Sequence, residues 1–206
     1  MDPNSNDFTR LTQPGIGEAV RILIEAFTGD PLMDYLFPEH KEQPDHLSQF
    51  FHVNLEYAVM TGEVYAAPSM TGVSVWLFPG DTNRPVVSRQ YDPRMRLERL
   101  YDEEKHRRLS RFSRYFDELH RELMQGSYFY LMFLGVKKAY QGKGTGSLLI
   151  QPLLQRADAK KLPCLLDTMN ARDLAFYQKH GFEVMLEHKI CGDGPLIWTM
   201  LRRPRG

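Results

Sequence analysis

The sequence lacks several features that would assign it to a common class of protein. It has no net charge, because Lys plus Arg and Asp plus Glu number 26 each, so no overall field attracts nucleic acid or anionic lipid. No apolar run approaches the roughly 20 residues that a bilayer requires, and the first residues show no basic-then-apolar signal pattern. We therefore expect a cytoplasmic protein without membrane or nucleic-acid partners.

Cysteine is equally scarce. The two cysteines, Cys164 and Cys191, have no metal-ligand spacing, so we expect no metal site. Cys164 lies in an apolar, strand-like run, which predicts a buried free thiol. The 206 residues suffice for one domain, or at most two small ones, with a substantial core.

Two common phosphate-binding motifs are also missing. A P-loop requires Gly-Lys-Ser or Gly-Lys-Thr, but Lys143 is followed by Gly144. The dinucleotide fingerprint requires Gly-x-Gly-x-x-Gly directly after a strand. Here the glycines of 142–146 have the spacing Gly-x-Gly-x-Gly and follow a polar linker. The P-loop and Rossmann folds are therefore excluded.

What the chain does contain is a glycine-rich turn, Gln141-Gly142-Lys143-Gly144-Thr145-Gly146. It follows a predicted strand (128–136) and opens a predicted amphipathic helix (144–160). Glycine lets the backbone turn tightly and lets a ligand approach the main chain. The free N–H groups there and in the first helical turn are suited to phosphate oxygens. The alternative is a turn with a purely structural role.

The residues on both sides of this turn resemble the acetyl-CoA signature of the GNAT acetyltransferase superfamily. The first motif consists of Leu134-Gly135-Val136, the glycine-rich turn and Leu148-Leu149, and the second consists of Asn170, Tyr177 and Gly181-Phe182. Two motifs in the correct order are more specific than either alone. The C-terminal half is also similar to puromycin N-acetyltransferase. The resemblance covers residues 126–204 well and the first 125 residues loosely.

Hydrophobic periodicity predicts strands alternating with helices, and hence an α/β fold with a mixed sheet. The predicted strands are 8–13, 63–67, 71–78, 128–136, 163–168, 182–190 and 194–202. The predicted helices are 16–28, 31–36, 45–60, two within 92–125, 144–160 and 171–180. The resemblance implies a GNAT-like three-layer fold, with a central sheet of about seven strands splayed between the fourth and fifth. Residues 1–206 would form a single domain, with an acceptor-pocket half (8–125) and an acetyl-CoA-binding half (126–204).

The resemblance also assigns the residues that would hold acetyl-CoA. The strand residues Leu134, Gly135 and Val136 would offer backbone groups to the pantetheine arm. The pyrophosphate would be held by Gln141, Gly142, Lys143, Gly144, Thr145, Gly146 and Ser147. Lys143 could instead be an exposed lysine at a helix start. Asn170 matches the asparagine that contacts the arm, although asparagine is equally suited to capping the helix that follows.

Tyr177 is the catalytic candidate that the resemblance supplies, placed near the thioester sulfur. Moving a proton from a phenol of pKa about 10 to a thiolate of about 8.5 is uphill by roughly 2 kcal/mol. A hydrogen bond to the developing charge is therefore more plausible than full transfer. The alternative for Tyr177 is an aromatic core residue.

The general base is less clear, because Ser127 to Val136 contains no Asp, Glu or His. Many members of the superfamily carry an acidic residue on that strand. We take Asp167, on the fifth predicted strand, as the candidate, with a strand-end carboxylate that caps a turn as the alternative. Asp34 is a weaker option.

The leading hypothesis is direct transfer of an acetyl group to the primary amine of a small molecule in a ternary complex. Aromatic residues in the N-terminal half would suit an apolar or aromatic acceptor. The alternatives are a catalytically silent CoA-binding module and an acetyltransferase for a protein or peptide amine. A nucleic-acid-binding module that uses Lys105 to Arg114 is disfavoured, because a charged run on such a helix is usually a solvated face. A homodimer through the C-terminal strands is common in such folds.

Overall fold

The architecture is built on one mixed sheet. The computed structural model describes residues 8–38, 44–80, 92–190 and 194–205. Its strands are β1 (Thr9–Arg10), β2 (Glu63–Ala66), β3 (Gly72–Leu77), β4 (Phe129–Val136), β5 (Cys164–Thr168), β6 (Glu183–Lys189) and β7 (Leu196–Arg202). They form a seven-stranded sheet in the order β1-β2-β3-β4-β5-β7-β6. Every neighbouring pair is antiparallel except β4 and β5, which are parallel.

Helices cover both faces of this sheet. They are α1 (Ile16–Ala26), α2 (Pro31–Leu36), α3 (Pro44–Thr61), α4 (Pro93–Glu98), α5 (Glu103–Leu123), α6 (Thr145–Ala159) and α7 (Leu174–Lys179). Alternation along β3 separates the two sides, because Val73 and Val75 join the hydrophobic cluster of α1 to α5, whereas Trp76 joins that of α6. On the α6 side, the buried Ser74 hydroxyl donates to the Leu149 carbonyl at 3.2 Å. The predicted three-layer α/β fold is confirmed.

Two of the helices begin with the same Asp-Pro signal. The Asp30 side chain accepts hydrogen bonds from the Leu32 and Met33 amides, and Asp92 accepts one from Arg94. Proline at the first helical position has the required φ and no amide to satisfy. This local chemistry is why α2 starts at the residue that the sequence predicts.

Some predicted boundaries differ from the structure. The first strand is shorter than 8–13, because Gln13–Gly15 forms a 3-10 turn that leads into α1. The helix predicted over 171–180 is divided into a 3-10 turn, Ala171–Asp173, and α7. Residues 81–91 and the second cysteine, Cys191, lie outside the described residues.

The predicted splay between the fourth and fifth strands is present. Only Phe129, Tyr130 and Leu131 of β4 pair with β5, opposite Cys164, Leu165 and Leu166. In the β3–β4 register, Val75 lies opposite Phe133 and Trp76 lies opposite Leu131, so Met132 is an extra residue in β4. A bulge of this kind bends the strand that carries it. We infer that the bulge at Met132 turns β4 away from β5.

The charge run on α5 is only partly a solvated face. The Lys105 side chain is 7% exposed and pairs with Asp102, the helix cap. Arg108 lies 4.0 Å from Glu104, one turn away. Some of the positive charge that could contact phosphates is therefore neutralised within the protein.

Candidate active site

Main-chain N–H groups without partners are concentrated at the start of α6. In the described part of the chain, the amides of residues 142–147 make no hydrogen bond, and no side chain caps the helix. The first amides of a helix have no intrahelical acceptor, and the helix dipole places positive potential there. The loop therefore presents a row of donors suited to an anion.

Local contacts of the side chains hold this loop in place. Gln141 donates through Nε2 to the Val136 carbonyl at 3.0 Å, and Thr145 donates to the Tyr140 carbonyl at 3.4 Å. The Ser147 hydroxyl lies 2.9 Å from Nε2 of His180. Nζ of Lys143 lies over the Tyr140 ring, 5.8 Å from its centroid. These contacts fix the side chains while the main-chain donors remain available.

Glycine is required at two positions of the loop by backbone conformation. Gly142 has φ of +71° and Gly144 has φ of +87°, both in the left-handed region that other residues rarely adopt. Gly146 instead makes a close packing contact, since an added Cβ would lie 3.3 Å from the Phe176 ring. The spacing of the three glycines therefore reflects two turns and one close contact.

The splayed part of β4 lies beside the loop. Leu134, Gly135 and Val136 pair with β3 on one side and have no ladder partner in β5 on the other. Gly135 also lets α1 approach, because an added Cβ would lie 2.9 Å from Cδ2 of Leu23. One edge of this strand is therefore open to hydrogen bonding by an extended ligand.

For Asn170, the structure shows the capping interaction. Its Oδ1 accepts a hydrogen bond from the Arg172 amide at 3.2 Å at the start of the 3-10 turn. Of the two roles that the sequence leaves open for Asn170, capping is therefore observed. Contact with a pantetheine arm stays a prediction.

A cavity of about 500 Å³ extends from the gap between β4 and β5 into the N-terminal half. Its wall includes Leu134 and Tyr177 at the gap, and Asp167 of β5. The opposite wall is one face of α5, from His106 to Arg121. Aromatic side chains contribute much of the lining, namely Phe27, Phe50, Tyr57, Phe112, Phe116, Tyr128, Tyr130 and Phe133. The volume suits a small-molecule site.

Tyr177 is held on the cavity wall by aromatic neighbours. Its ring centroid is 5.2 Å from that of Phe176 and 5.9 Å from that of Phe182. Its hydroxyl has no hydrogen-bond partner among the described residues. Burial, with smaller contributions from Asp173 and Asp30, raises the pKa of Tyr177 above its ordinary value. The hydroxyl is therefore a protonated donor that is free to serve a ligand.

Two carboxylates lie near Tyr177. Burial raises the pKa of Asp30 to about 6, and the charges of Asp173 and Asp34 add to this shift. Burial also raises the pKa of Asp173. Asp30 and Asp173 both line the cavity, so this end of it favours a cation over an anion.

Asp167 lies just beyond the last β4–β5 pair, and both of its carboxylate oxygens are occupied. Oδ2 lies 2.8 Å from Nε2 of His120 and accepts from the Tyr130 hydroxyl at 3.2 Å. Oδ1 accepts from the Thr199 hydroxyl at 2.6 Å. The side chain is 3% exposed. The structure thus brings the predicted carboxylate to the cavity but surrounds it with donors, which does not favour direct proton abstraction from a substrate.

His120 is the residue of this site that the sequence did not reveal. It lies near the C-terminus of α5, within an apolar stripe that only predicts a buried face. Its ring centroid is 4.8 Å from that of Tyr130 and 6.3 Å from that of Tyr128. No local spacing connects it to Asp167, which lies 47 residues later.

Comparison with known proteins places this geometry in a family. The model of the acetyltransferase (GNAT) domain matches residues 111–184. An uncharacterised N-acetyltransferase of Schizosaccharomyces pombe is 25% identical over 195 residues, which make up 91% of this chain and 79% of that protein. The chain carries a GNAT acetyltransferase domain. It is accordingly an acyltransferase, while the similarity to puromycin N-acetyltransferase stays a prediction.

The GNAT fold of this chain also recurs in solved structures. A Corynebacterium glutamicum protein described as histone acetyltransferase HPA2 and related acetyltransferase aligns with a TM-score of 0.65 and 19% identity, over 97% of this chain and 96% of that one. Arylalkylamine N-acetyltransferase 2 from Aedes aegypti aligns with a TM-score of 0.59 and 14% identity, over 96% of this chain and 98% of that one. At these identities the likeness shows the fold alone.

The GNAT family implies acetyl-CoA as co-substrate, and the residues present fit it. The unpaired amides of 142–147 match the diphosphate of a nucleotide. The open edge of β4 could pair with the amide groups of an extended arm. The free Tyr177 hydroxyl lies on the cavity wall that this arm would reach.

Neither a metal cluster nor a membrane span is found in the described ranges. Within them, no three His, Cys, Asp or Glu side chains are grouped to hold a metal ion. None of the helices there is both long enough and apolar enough to cross a bilayer. Cys164 is a buried free thiol, as predicted, and burial raises its pKa to about 12. This thiol is therefore a poor nucleophile.

Proposed function

We propose that this GNAT domain transfers the acetyl group of acetyl-CoA to the primary amine of a small molecule, directly, within a ternary complex. One observation carries the proposal. The unpaired amides of residues 142–147 adjoin a splayed strand edge, and this gap continues into a cavity lined by the free Tyr177 hydroxyl. The proposed diphosphate site therefore follows directly on the strand whose open edge reaches the cavity that Tyr177 lines.

The chain's own groups would have separate tasks in this reaction. Acetyl-CoA supplies an activated thioester when bound. The amides of 142–147 bind and orient its diphosphate, with Lys143 close enough to add a charge. The Tyr177 hydroxyl donates a hydrogen bond where negative charge develops on the departing sulfur. The elevated pKa of Tyr177 keeps that proton in place at neutral pH.

Direct transfer is favoured by the composition of the cavity. No cysteine is among its described lining residues, and Cys164 belongs to the core cluster on the α6 side. An acylated cysteine would need a thiolate near the donor. The cavity is instead large enough for the end of the donor and a small acceptor together.

The lining also indicates the kind of acceptor. Besides Tyr177, eight aromatic side chains of the described lining offer an apolar surface to the body of the molecule, while Asp30 and Asp173 would attract its ammonium group. A primary amine on an apolar or aromatic body matches both features. The similar fold of an arylalkylamine N-acetyltransferase is consistent with this acceptor class.

Binding of acetyl-CoA can be tested by isothermal titration calorimetry on the full chain. Gly142→Glu should weaken binding by at least about 100-fold, because it places a carboxylate beside the diphosphate and strains a left-handed residue. Gly126→Glu is the matched control, since Gly126 also has a positive φ (+82°) and an added Cβ would meet nothing within 4 Å. Both variants should lose similar stability, but only Gly142→Glu should lose binding.

Activity can be tested by thiol release with arylalkylamines, polyamines, amino acids, aminonucleosides and peptides. The proposal predicts release with at least one small primary amine. Absence of any heat with acetyl-CoA would overturn the assigned donor. Binding without thiol release from any amine would instead indicate a catalytically silent CoA-binding module, and release with peptides alone would indicate a protein or peptide acceptor.

A further inference from the structure

We propose that His120 is the general base that deprotonates the acceptor amine, and that Asp167 is a positioning residue that orients it. This inference rests on the proposed function. It supplies the proton acceptor that β4 lacks, since Phe129–Val136 contains no titratable carboxylate or imidazole. A primary amine is mostly protonated at neutral pH, so direct transfer needs such a group.

The geometry joins the two residues across the cavity wall. His120 of α5 and Asp167 of β5 both line the cavity, with Nε2 of the imidazole 2.8 Å from Oδ2 of the carboxylate. The imidazole side chain is 12% exposed, whereas the carboxylate is 3% exposed. The histidine is thus the more exposed member of the pair.

The hydrogen bonds around Asp167 converge on the carboxylate from three sides. Thr199 lies directly opposite Asp167 on β7 and donates to Oδ1, and Tyr130 donates to Oδ2. Burial, with a further contribution from Asp167, raises the pKa of Tyr130 well above its ordinary value, so this phenol stays a donor. Because a carboxylate oxygen acts as an acceptor, Oδ2 of Asp167 accepts the third hydrogen bond from Nε2–H of His120.

That arrangement fixes the tautomer of His120. With the proton on Nε2, the neutral imidazole has its lone pair on Nδ1. Nδ1 has no hydrogen-bond partner among the described residues. The dyad therefore leaves an unengaged basic nitrogen on a residue that lines a cavity suited to an ammonium group. The same logic of an acidic residue that orients a histidine base occurs in hydrolase triads on unrelated folds.

The chain of contacts continues behind Asp167, away from the cavity. Because Thr199 donates to Asp167, it accepts from Nε2 of His188 at 3.2 Å, while Nδ1 of His188 contacts the Tyr115 hydroxyl. Burial lowers the pKa of His188, so it is neutral at pH 7. Titratable or charged groups near the dyad in the described part of the chain include Asp117 and Arg121 on α5, Arg94, which pairs with Asp117, Tyr128 and Tyr130, and His188 on β6.

In the proposed step, Nδ1 of His120 takes one proton from the ammonium nitrogen of the acceptor. The neutral nitrogen then bonds to the acetyl carbon as the carbon–sulfur bond breaks. The second proton of the nitrogen goes to the departing sulfur, and the proton on Nδ1 leaves to solvent. The products are the N-acetylated amine, the free thiol and one proton.

The tautomer can be measured without donor or acceptor. In full-length protein labelled with ¹⁵N-histidine, long-range proton–nitrogen spectra at pH 8 should show the His120 proton on Nε2, assigned by its loss in His120→Gln. Asp167→Asn should abolish that preference, because an amide can donate to the ring as well as accept from it. A proton on Nδ1 of His120, or an unchanged tautomer in Asp167→Asn, would overturn the assignment.

The base role is tested by comparing two acceptors with acetyl-CoA. His120→Gln keeps a donor toward Asp167 but removes the basic nitrogen. With 2-phenylethylamine, which is an ammonium ion at pH 7, kcat/KM should fall about 10²–10⁴-fold. The loss should shrink as the pH rises toward 9. With aniline, which is already neutral, it should be less than about tenfold. A merely structural role would lower both rates equally at every pH, and that result would contradict the proposal.

The control is His52→Gln. His52 lies on α3 with its side chain 49% exposed and an ion-pair contact to Glu56, outside the cavity lining. The His52→Gln variant should leave kcat/KM unchanged with both 2-phenylethylamine and aniline. If the wild-type chain binds no acetyl-CoA, the proposed function fails, whereas the tautomer result still decides the dyad. If it binds and acetylates but His120→Gln does so equally well, only the assignment of the base fails.

Discussion

Tyr177 illustrates how burial determines the chemistry of a single side chain. Its elevated pKa makes it a poor acid but keeps it a hydrogen-bond donor over the whole physiological range. If Tyr177 has the proposed role, Tyr177→Phe should lower kcat about 10–100-fold, because one donor to the developing thiolate is lost. The affinity for acetyl-CoA should change less than about threefold, since the proposed diphosphate site is untouched. Steady-state kinetics with calorimetry would separate the two effects, and an equal loss in both would assign Tyr177 to binding.

Asp30 should impose a pH dependence on stability. Its pKa is about 6 in the folded chain and near 3.8 when unfolded, so the folded state binds more protons between these values. By linkage, stability falls as the pH rises from about 4 to 6, by up to about 3 kcal/mol. Asp30→Asn retains the helix cap without the charge.

Urea denaturation at pH 4.5 and pH 7.5 tests this expectation. The free energy of unfolding of Asp30→Asn, relative to that of the wild type, should be higher at pH 7.5 than at pH 4.5. If both proteins changed equally with pH, the buried charge of Asp30 would not be the cause. The effect depends on a fold that buries the carboxylate, so the N-cap role of Asp30 could be read from Asp-Pro but its pKa could not.

The same distinction explains which site residues could be predicted. The glycines of 142–146 and Tyr177 lie in short motifs, where local spacing is enough. Asp167 could be proposed from its strand, but its partners come from α5, β4 and β7. His120 has no local signal at all, because a histidine in an amphipathic stripe is equally compatible with a structural role. Its significance depends on the contact that tertiary folding creates.

At the scale of elements, the sequence predicts most helices and strands to within a few residues, because their periodicity and caps are local. It fails at two 3-10 turns of three residues each, Gln13–Gly15 and Ala171–Asp173. It does not reveal the bulge at Met132, because that extra residue exists only relative to β3. The splay could be expected from the resemblance, but not its physical cause.

The packing of α1 on β4 gives a prediction for these elements. Gly135→Ala should destabilise the chain by about 1–3 kcal/mol, since the new methyl group would lie 2.9 Å from Leu23 and 3.2 Å from Ala26. Gly17→Ala on α1 is the control, because an added Cβ at Gly17 meets nothing within 4 Å. It should stabilise by about 0.5–1 kcal/mol through helix propensity. Chemical denaturation measures both, and an equal effect would argue against close packing at Gly135.

At the scale of the molecule, one sheet passes through both hydrophobic clusters, which predicts a single cooperative unit. Trp76 in β3 and Trp198 in β7 report on opposite halves of that sheet. In variants that retain one tryptophan, Trp198→Phe and Trp76→Phe, the fluorescence transition should coincide with the loss of far-ultraviolet circular dichroism. A separate transition in either variant would show that the halves unfold independently.

The bulge at Met132 has a consequence for the lifetime of the protein. Only three residues of β4 pair with β5, so the main-chain groups that face the gap beyond them have no partner in β5. We call this gap between the two strands the wedge. A ligand that occupies this wedge acts as a surrogate strand and would slow amide exchange along the free edge of residues 132–136. Because unfolded chain cannot form the wedge, a donor concentration 100 times its Kd adds about 2.7 kcal/mol to stability. If acetyl-CoA is the donor, as proposed, the resistance of this enzyme to proteolysis would then follow the acetyl-CoA supply of the cell.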